Sequence, residues 1–347
     1  MSLKILLIDD DAYQRKIVND ALEIFLKQRD FDIKIEESDN FDDGITKLNN
    51  SQFDAAIIDL RLSNNEKEAK GNLFIKEILD RLRFPIRIVS SHLGDLDEDF
   101  RTPSFFFNYY TRDAVDFEII FNEFIDIYET GITQILNYRG RIDSDITNIF
   151  WKHISFILPE FIKQKKKNTS WDVEKVLLRY ISAHILEYLE LNIDNNLEPV
   201  NSIEFYIKPS VKGKIFTGDI LKKKSDNSYW VIVTPVCDLA TDNKRKNPKA
   251  EFVSLVRIQD IDSIIAGKNS GEKGKLFSNS LDLKYHFLPK SILFEGGFIN
   301  FQILNSYRTD EISEEFDIEL IISSLFRKDV VSRFANYYSR QGQPLFE

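Results

Sequence analysis

The first 130 residues alternate short, unbroken apolar runs with longer stretches in which apolar residues recur every three or four positions. Leu3-Lys4-Ile5-Leu6-Leu7-Ile8 is a run of the first kind, and Phe53-Asp54-Ala55-Ala56-Ile57-Ile58 is another. Both end in carboxylates: the first in Asp9, Asp10 and Asp11, the second in Asp59. Runs without strict alternation read as parallel strands buried on both faces, with their last residues at the edge where open α/β sheets bind ligands. Further strands are expected over Asp32 to Glu37, Pro85 to Ser91 and Ser104 to Tyr110, with the central one reaching from Phe53 to Leu62. Helical periodicity fills the gaps over Tyr13 to Lys27, Asp42 to Leu48 and Gly71 to Leu82, the last with Leu73, Phe74, Ile78, Leu79 and Leu82 inward. A long last helix is expected from Ala114 to about Leu136. This order predicts an α/β fold, a five-stranded parallel doubly wound sheet.

After residue 140 the pattern changes. A helix with a kink near Pro159 is expected from Asp143 to Lys163, then a solvated connection from Lys163 to Asn168. Thr169 or Ser170, with Asp172, would cap a second helix from Trp171 to Leu191, burying Val173, Val176, Leu177, Ile181, Ile185, Leu186 and Leu189. This helical hairpin is a spacer, a dimerisation element or the base of an output domain. From Ile203 onward β-rich segments follow, over Ile203 to Ile207, Lys214 to Lys222, Tyr229 to Thr234, Glu251 to Gln259, Leu293 to Leu304 and Phe316 to Ile322. They suggest a small barrel or curled sheet. A closing helix from Arg327 to Arg340 would turn Val330, Val331, Phe334, Ala335 and Tyr338 inward, before a tail from Gln341 to Phe346. The expected organisation is a receiver-like domain over 1–130, a helical connector over 131–200 and a β-rich, barrel-like output domain over 201–347, α+β taken together.

Composition changes this picture in three places. At 347 residues and 43% apolar content the chain exceeds one typical domain and can bury ordinary cores. The net charge of −10 is uneven: residues 1–140 hold 17 Lys/Arg against 28 Asp/Glu, the remainder 29 against 28, so the acidity belongs to the first half. The single cysteine, Cys237, excludes an internal disulfide. No apolar stretch approaches the roughly 18 residues of a membrane span, and no charged leader precedes an apolar run, so a cytoplasmic protein without membrane contact is expected.

Two strands delivering Asp9, Asp10 and Asp59 to one edge would crowd like charges, which is costly unless a cation sits among them. Oxygen-only ligands favour Mg²⁺. Here the sequence resembles the receiver domains of two-component response regulators. The resemblance implies that Asp9 and Asp10 bind Mg²⁺ and that Asp59 accepts a phosphoryl group from a histidine kinase or phosphotransfer protein. It also implies that Ser90 contacts the acyl phosphate, and that a lysine ends the fifth strand with an aromatic switch residue three positions before it. Arg112, 22 positions after Ser90, stands where the lysine is expected, and Tyr109 precedes it by three. A planar guanidinium is not a conservative replacement for an ammonium. The proline that usually follows the acceptor is absent, the loop from Ser63 to Lys70 is long and polar, and Leu93 to Phe100 lacks the periodicity of a fourth helix. Carboxylates also occur at strand ends simply because polar groups belong at sheet edges.

The second half offers weaker patterns. Arg179 and His184 have an Arg-x4-His spacing that resembles the active-site motif of HEPN-type ribonucleases, in which the arginine would stabilise phosphate charge and the histidine would move protons. Phe216-Thr217-Gly218-Asp219-Ile220-Leu221, followed by Tyr229 to Leu239, resembles the opening of SH3-like barrels such as MazF/PemK toxins. Cys237 and Asp238 follow a buried-type strand. A reactive cysteine needs a base, for which His286 is the candidate, whereas the ordinary reading is a small buried hydrophobe with Asp238 capping a turn. Lys222-Lys223-Lys224 and Asn243 to Lys249 are basic loops able to touch phosphates, without the positive excess that marks nucleic-acid binding. The readings that remain open are a phosphoacceptor signalling protein, a nuclease-type effector of a bacterial stress or phage-defence system with a regulatory receiver, and an interaction adaptor. A homodimer fits all three, and whether the output domain is an enzyme is open.

Overall fold

A computed structural model describes residues 2–62, 70–168, 170, 172–190, 196–241, 245–280 and 283–340, and the chain divides into two compact units, 1–196 and 197–347. In the first unit strands β1 (Leu3–Ile8), β2 (Ile33–Ser38), β3 (Ala55–Ile58), β4 (Ile86–Ser90) and β5 (Phe107–Thr111) form one parallel sheet in the order β2-β1-β3-β4-β5. That is the doubly wound order with its switch point between β1 and β3. The apolar runs are explained by two-sided burial. Leu6, Ile8, Ala56, Ile58, Ile86 and Ile88 pack beneath α2 (Phe41–Asn50) and α3 (Lys70–Arg81), through Leu48, Phe74, Ile75 and Ile78. Leu3, Ile5, Leu7, Ala55, Ile57 and Val89 pack on the other face beneath α1 (Ala12–Leu26) and α4 (Phe117–Glu129), through Val18, Leu22, Phe25, Ile120, Phe121 and Phe124. The α3 face differs from expectation at two positions. Leu73 and Leu79 are about half exposed, and Ile75 takes the buried place between Phe74 and Ile78.

The long last helix is broken. Gly131, at φ +76°, ends α4 with its N–H donating to Tyr128 O, and a short α5 (Ile132–Leu136) starts in a new direction. The break lets Thr133 Oγ1 donate to Asp54 Oδ1 at 3.0 Å and Asn137 Nδ2 donate to Phe53 O, tying α5 to the amino-terminal end of β3. Between β4 and β5 there are two 3₁₀ turns, Leu93–Asp95 and Glu98–Phe100, in place of a helix. A buried arginine completes the β4 face: Arg87 is 2% exposed, bonds Glu123 at 2.7 Å, donates to Ile86 O and Phe105 O, and lies over the Phe124 ring.

The first hairpin helix is longer than expected, and the second is less buried. α6 (Arg141–Ile149) runs through a π-helical turn, Phe150–Ile154, into α7 (Ser155–Lys167), so the irregularity lies upstream of Pro159 and Lys163–Lys167 is helix rather than connection. α8 (Val173–Glu190) has no buried residue, and Leu186 and Leu189 are exposed. Trp171, Leu191, Thr169 and the loop 63–69 lie outside the described residues.

The second unit is a seven-stranded antiparallel sheet, in the order β10-β11-β9-β8-β7-β12-β6. Its strands are β6 (Tyr206–Ile207), β7 (Asp219–Lys223), β8 (Tyr229–Ile232), β9 (Phe252–Gln259), β10 (Tyr285–Leu288), β11 (Gly297–Arg308) and β12 (Phe316–Ile322), with a 3₁₀ turn, Ser202–Phe205, where the first strand was expected to begin. The short β10 was missed by the sequence reading. A register shift in β11 between Asn300 and Leu304 bends the sheet, and Tyr206 Oη donates to Pro289 O at 2.7 Å, drawing the two edges together as in a half-closed barrel. One face carries Ile220, Val231, Val256, Ile299, Phe301 and Leu320 against Val330 and the half-buried Phe326, Phe334 and Tyr337 of the last helix, Ser324–Ser339. Tyr337, not Tyr338 or Ala335, completes its inward face. The opposite face is a second core around Trp230, Leu255 and Phe316. The tail from Gln341 lies outside the described residues.

Two predictions follow from buried polar groups in these cores. Glu123→Ala strips the carboxylate from Arg87; because Glu123 is partly exposed and Arg87 keeps two carbonyl partners, the expected loss is about 1–3 kcal/mol in urea unfolding, whereas Arg87→Met costs less. His286 is 2% exposed on β10, neither ring nitrogen has a hydrogen-bond partner, and burial pushes its pKa down to about 3. Asp329 Oδ2 lies 3.8 Å away on an exposed side chain, but a neutral imidazole forms no ion pair with it. The unfolded chain therefore takes up this proton first. Stability is present above about pH 6.5 and falls by about 1.4 kcal/mol per pH unit as pH drops toward 3. The difference in thermal unfolding between the parent and His286→Leu should move in the parent's disfavour between pH 7 and pH 5; a constant difference would contradict the neutral buried imidazole.

Candidate phosphoacceptor and metal site

β1 and β3 are adjacent and parallel, and Ile8 pairs with Ile58, so Asp9 and Asp59 leave neighbouring strands at the same level of the sheet edge. The Asp59 N–H donates to Ile8 O at 2.8 Å, which extends the pairing by one residue. Asp9 is 7% and Asp59 6% exposed, and one carboxylate oxygen from each of Asp9, Asp10 and Asp59 lies within 4.8 Å of the others. Asp11 instead caps α1, accepting from the Tyr13 N–H at 2.8 Å.

Arg112 supplies the nearest positive charge. It lies in a 3₁₀ turn, Arg112–Ala114, directly after β5, and its Nη2 is 2.6 Å from Asp9 Oδ2 and 3.2 Å from Asp59 Oδ1. The second contact lacks hydrogen-bond geometry, so Asp59 Oδ1 is buried with no hydrogen bond. Burial pushes the Asp9 carboxyl up to about 7, against the opposing pull of the Asp11 N–H and Arg112; the charges of Asp59 and Asp10 add to the rise. Asp10 is raised as well, by burial first and Asp59 second. One guanidinium thus leaves three carboxylates incompletely neutralised. A donor set made only of carboxylate oxygens, with one buried oxygen lacking a hydrogen bond, fits a hard divalent cation.

Ser90 is fully buried at the end of β4, and its Oγ accepts from the His92 N–H at 3.2 Å, which leaves the hydroxyl proton available. Ile58 pairs with Ile88, so Asp59 lies level with Val89 and Ser90 follows one residue on, at the same sheet edge. Tyr109 is half-buried on β5, with its hydroxyl donating to Arg101 O at 3.2 Å. Gly71 closes the floor of the site. A Cβ there would lie 2.5 Å from Leu60 Cα and 2.7 Å from Asp59 O, so only glycine lets α3 approach the residues that follow the acceptor.

The candidates in the second half do not assemble in this way. Arg179 is exposed, whereas His184 is half-buried, donates from Nδ1 to Tyr180 O at 2.8 Å, and packs against His153 with ring centroids 4.6 Å apart. Five positions on an α-helix turn the chain by about 500°, which puts the two side chains on different faces. Cys237 is exposed rather than buried, with Sγ 3.7 Å from Asp238 Oδ1; the Asp238 carbonyl accepts from the Lys249 and Ala250 N–H groups. β8, which leads to Cys237, and β10, which carries His286, are separated in the sheet by β9 and β11. Lys222 and Lys223 belong to β7 rather than to a loop. Lys222 lies over the Tyr229 ring, Lys223 meets Tyr307 and Glu315, and Lys224 meets Asp317 and Ser313 O, so all three lysines are engaged. Asn243 and Lys244 lie outside the described residues, and Arg245 bonds Cys237 O and Ala240 O. Sequence reasoning also missed Gly71 as a spacer at the acceptor and Arg87 as a buried ion; an arginine inside an apolar strand was the available signal.

No helix among the described residues is long and apolar enough to cross a membrane. No protein-family model and no curated protein matches the chain. Among solved structures, a CheY-like response regulator receiver domain from Methylobacillus flagellatus is 18% identical, covering 37% of this chain and 99% of that one at a TM-score of 0.28. One from Methanospirillum hungatei JF-1 is 18% identical over 38% of this chain and 100% of that one, at 0.26. A response regulator protein from Burkholderia pseudomallei, described with a phosphorylated aspartic acid, a calcium ion and citrate, is 18% identical over 46% and 85%, at 0.26. With its five parallel strands in the order 2-1-3-4-5, the amino-terminal part of this chain resembles a response regulator receiver domain in fold.

Proposed function

We propose that the chain is a response-regulator-like signalling protein that accepts a phosphoryl group on Asp59. The observation that carries this reading is the meeting of Asp9, Asp10 and Asp59 within 4.8 Å, with Arg112 and Ser90 at the same sheet edge. The donor would be a phosphohistidine of a kinase or phosphotransfer protein. The N–P bond breaks, an O–P bond forms to an Asp59 carboxylate oxygen, and the freed imidazole nitrogen takes a proton. Asp9, Asp10 and Asp59 would hold Mg²⁺, which when bound supplies neutralising charge for the transferred group. Arg112 already spans two carboxylates, so a phosphoryl group on Asp59 offers its guanidinium a stronger, bidentate partner. The Ser90 hydroxyl donates to a phosphoryl oxygen. These two movements vacate space beside β5, and Tyr109 changes rotamer at the expense of its bond to Arg101 O. The signal passes to the β-rich second unit, whose own activity this reading leaves unassigned.

Incubation with Mg²⁺ and a small phosphodonor should add one phosphoryl mass to the parent and none to Asp59→Asn in intact-mass spectrometry. Equal labelling of both proteins would place the acceptor elsewhere. Arg112→Ala exposes the carboxylates to one another. In chelator it should lose about 1–3 kcal/mol of stability, and added Mg²⁺ should raise its melting temperature more than it raises the parent's. A smaller Mg²⁺ shift in the variant would mean that Arg112 helps bind the cation rather than substituting for it.

A further inference from the structure

Two cations of the second unit meet on one aromatic ring, and no protein anion pairs with either. Lys212 Nζ lies 3.5 Å from the centroid of the Phe216 ring, and the guanidinium carbon of Arg327 lies 5.1 Å from it. Both side chains are half-buried, and among the described residues neither head group has a hydrogen bond or an ion pair. Burial pulls the Lys212 ammonium below its usual pKa, and the charge of Arg327 adds to the fall. Holding two like charges this close is costly unless an anion joins them.

The backbone holds this arrangement in place. Ahead of β7 the chain turns through Phe216 to Asp219: the Asp219 N–H donates to Phe216 O at 3.0 Å, and Asp219 Oδ2 accepts from the Phe216 N–H at 2.6 Å. Gly218 O accepts from the Ile322 N–H at 2.9 Å, which sets the turn against the start of the last helix. A Cβ on Gly218 would lie 2.5 Å from Arg327 Cδ, and its φ is +86°, so a glycine is needed for the arginine stem to lie flat on the turn. Arg327 stands in the first turns of that helix, where side chains lean toward the amino-terminal end. At that end Ser323 makes no side-chain cap, and the Ser324 and Leu325 N–H groups have no acceptor among the described residues.

The carboxylate beneath the cations does not neutralise them. Asp219 is fully buried, its Oδ1 has no hydrogen bond, and among the described residues it has no ion pair. Burial pushes its pKa up to about 6, against the pull of the Phe216 N–H, Lys212 and Arg327. Its charge eases the repulsion between the cations from below, while their half-buried heads stay within reach of a ligand. The donors left over are an ammonium, a planar fork and two backbone N–H groups at the positive end of a 16-residue helix. A carboxylate has two oxygens, which the fork alone saturates. A phosphomonoester brings three acceptor oxygens and close to two negative charges, and a phosphodiester fewer of both.

We propose that Lys212, Arg327 and the amino-terminal end of the last helix form a binding site for a phosphomonoester, with Phe216 holding the two cations in place. The site lies within the second unit and does not rest on the assignment of Asp59.

Isothermal titration of the full chain in chelator, with inorganic phosphate, a nucleoside 5′-monophosphate and the free nucleoside, tests this. The parent should bind both phosphates saturably and the nucleoside not at all; tighter binding of the nucleotide than of inorganic phosphate would uphold the site and extend it to the organic part of the ligand. Lys212→Gln and Arg327→Gln should each weaken binding by about tenfold or more. Asp219→Asn removes the opposing charge and keeps an oxygen for the Phe216 N–H, so with an unchanged circular dichroism spectrum it should tighten binding several-fold, an effect that a purely structural role would not produce. Phosphate binding that survives both cation changes lies elsewhere, the Arg112 and Ser90 edge included, and overturns the proposal. So do a parent that binds no phosphate, a nucleoside bound as tightly as its monophosphate, and a dinucleoside phosphodiester bound more tightly than either monoester probe.

Discussion

The arrangement of the first unit depends on keeping three carboxylates together at one sheet edge. Parallel pairing of β1 with β3 brings Asp9 and Asp59 to the same level, and burial then denies them the water that would ordinarily screen their repulsion. Arg112 answers part of this charge from the turn after β5, on the far side of β4. The β4–β5 end of the sheet is thus coupled electrostatically to the β1–β3 end. Any change in the charge on Asp59 is felt at Arg112, whose Nη2 is 3.2 Å from its Oδ1.

That coupling gives the presence of an arginine at position 112 a physical content. A guanidinium can touch two carboxylates at once, as Arg112 touches Asp9 and Asp59, and so can hold the unmodified site closed. The same fork geometry suits a phosphoryl group still better. A site built this way is more stable without a cation than one closed by an ammonium, and gains less from binding one. The segment between β4 and β5 is likewise held by polar contacts. Its two 3₁₀ turns are held by the Arg61–Asp95 pair, by Asn72 donating to Asp95 O, and by Arg101 donating to Leu96 O and Gly94 O, so polar contacts from α3 and its neighbourhood replace helical packing there.

The sheet and its carboxylates were legible in the sequence because two-sided burial writes an unbroken apolar run and a strand end writes a charge. The strand order and the meeting of Asp9, Asp10 and Asp59 follow from that grammar, whereas β3 is confined to Ala55–Ile58 within the expected Phe53 to Leu62, and Ser90 was singled out by the resemblance to receiver domains. What escaped was set by single residues acting against local pattern. The apolar periodicity of Phe117 to Leu136 continues through Gly131, yet its positive φ breaks the helix so that Thr133 and Asn137 can reach β3. Arg87 sits in a strand that otherwise excludes charge, because Glu123 and two carbonyls meet it from outside the sheet. Arg179 and His184 share a helix but not a face, a distinction visible from spacing alone. β10 was lost because the four residues Tyr285–Leu288, followed by Pro289, give too short a signal.

The hairpin shows the opposite failure, in which Leu186 and Leu189 were expected to be buried with the rest of the apolar positions and are exposed instead. Val173 to Leu189 holds more apolar positions than one stripe can take, and assigning them all to the hairpin interior requires a face wider than an antiparallel neighbour covers. The seam is also not a dry core. His153, His184, Tyr180 and Tyr188 fill it with rings that carry polar atoms and bond one another or the backbone. Such a seam fixes the register of two helices without burying much apolar area.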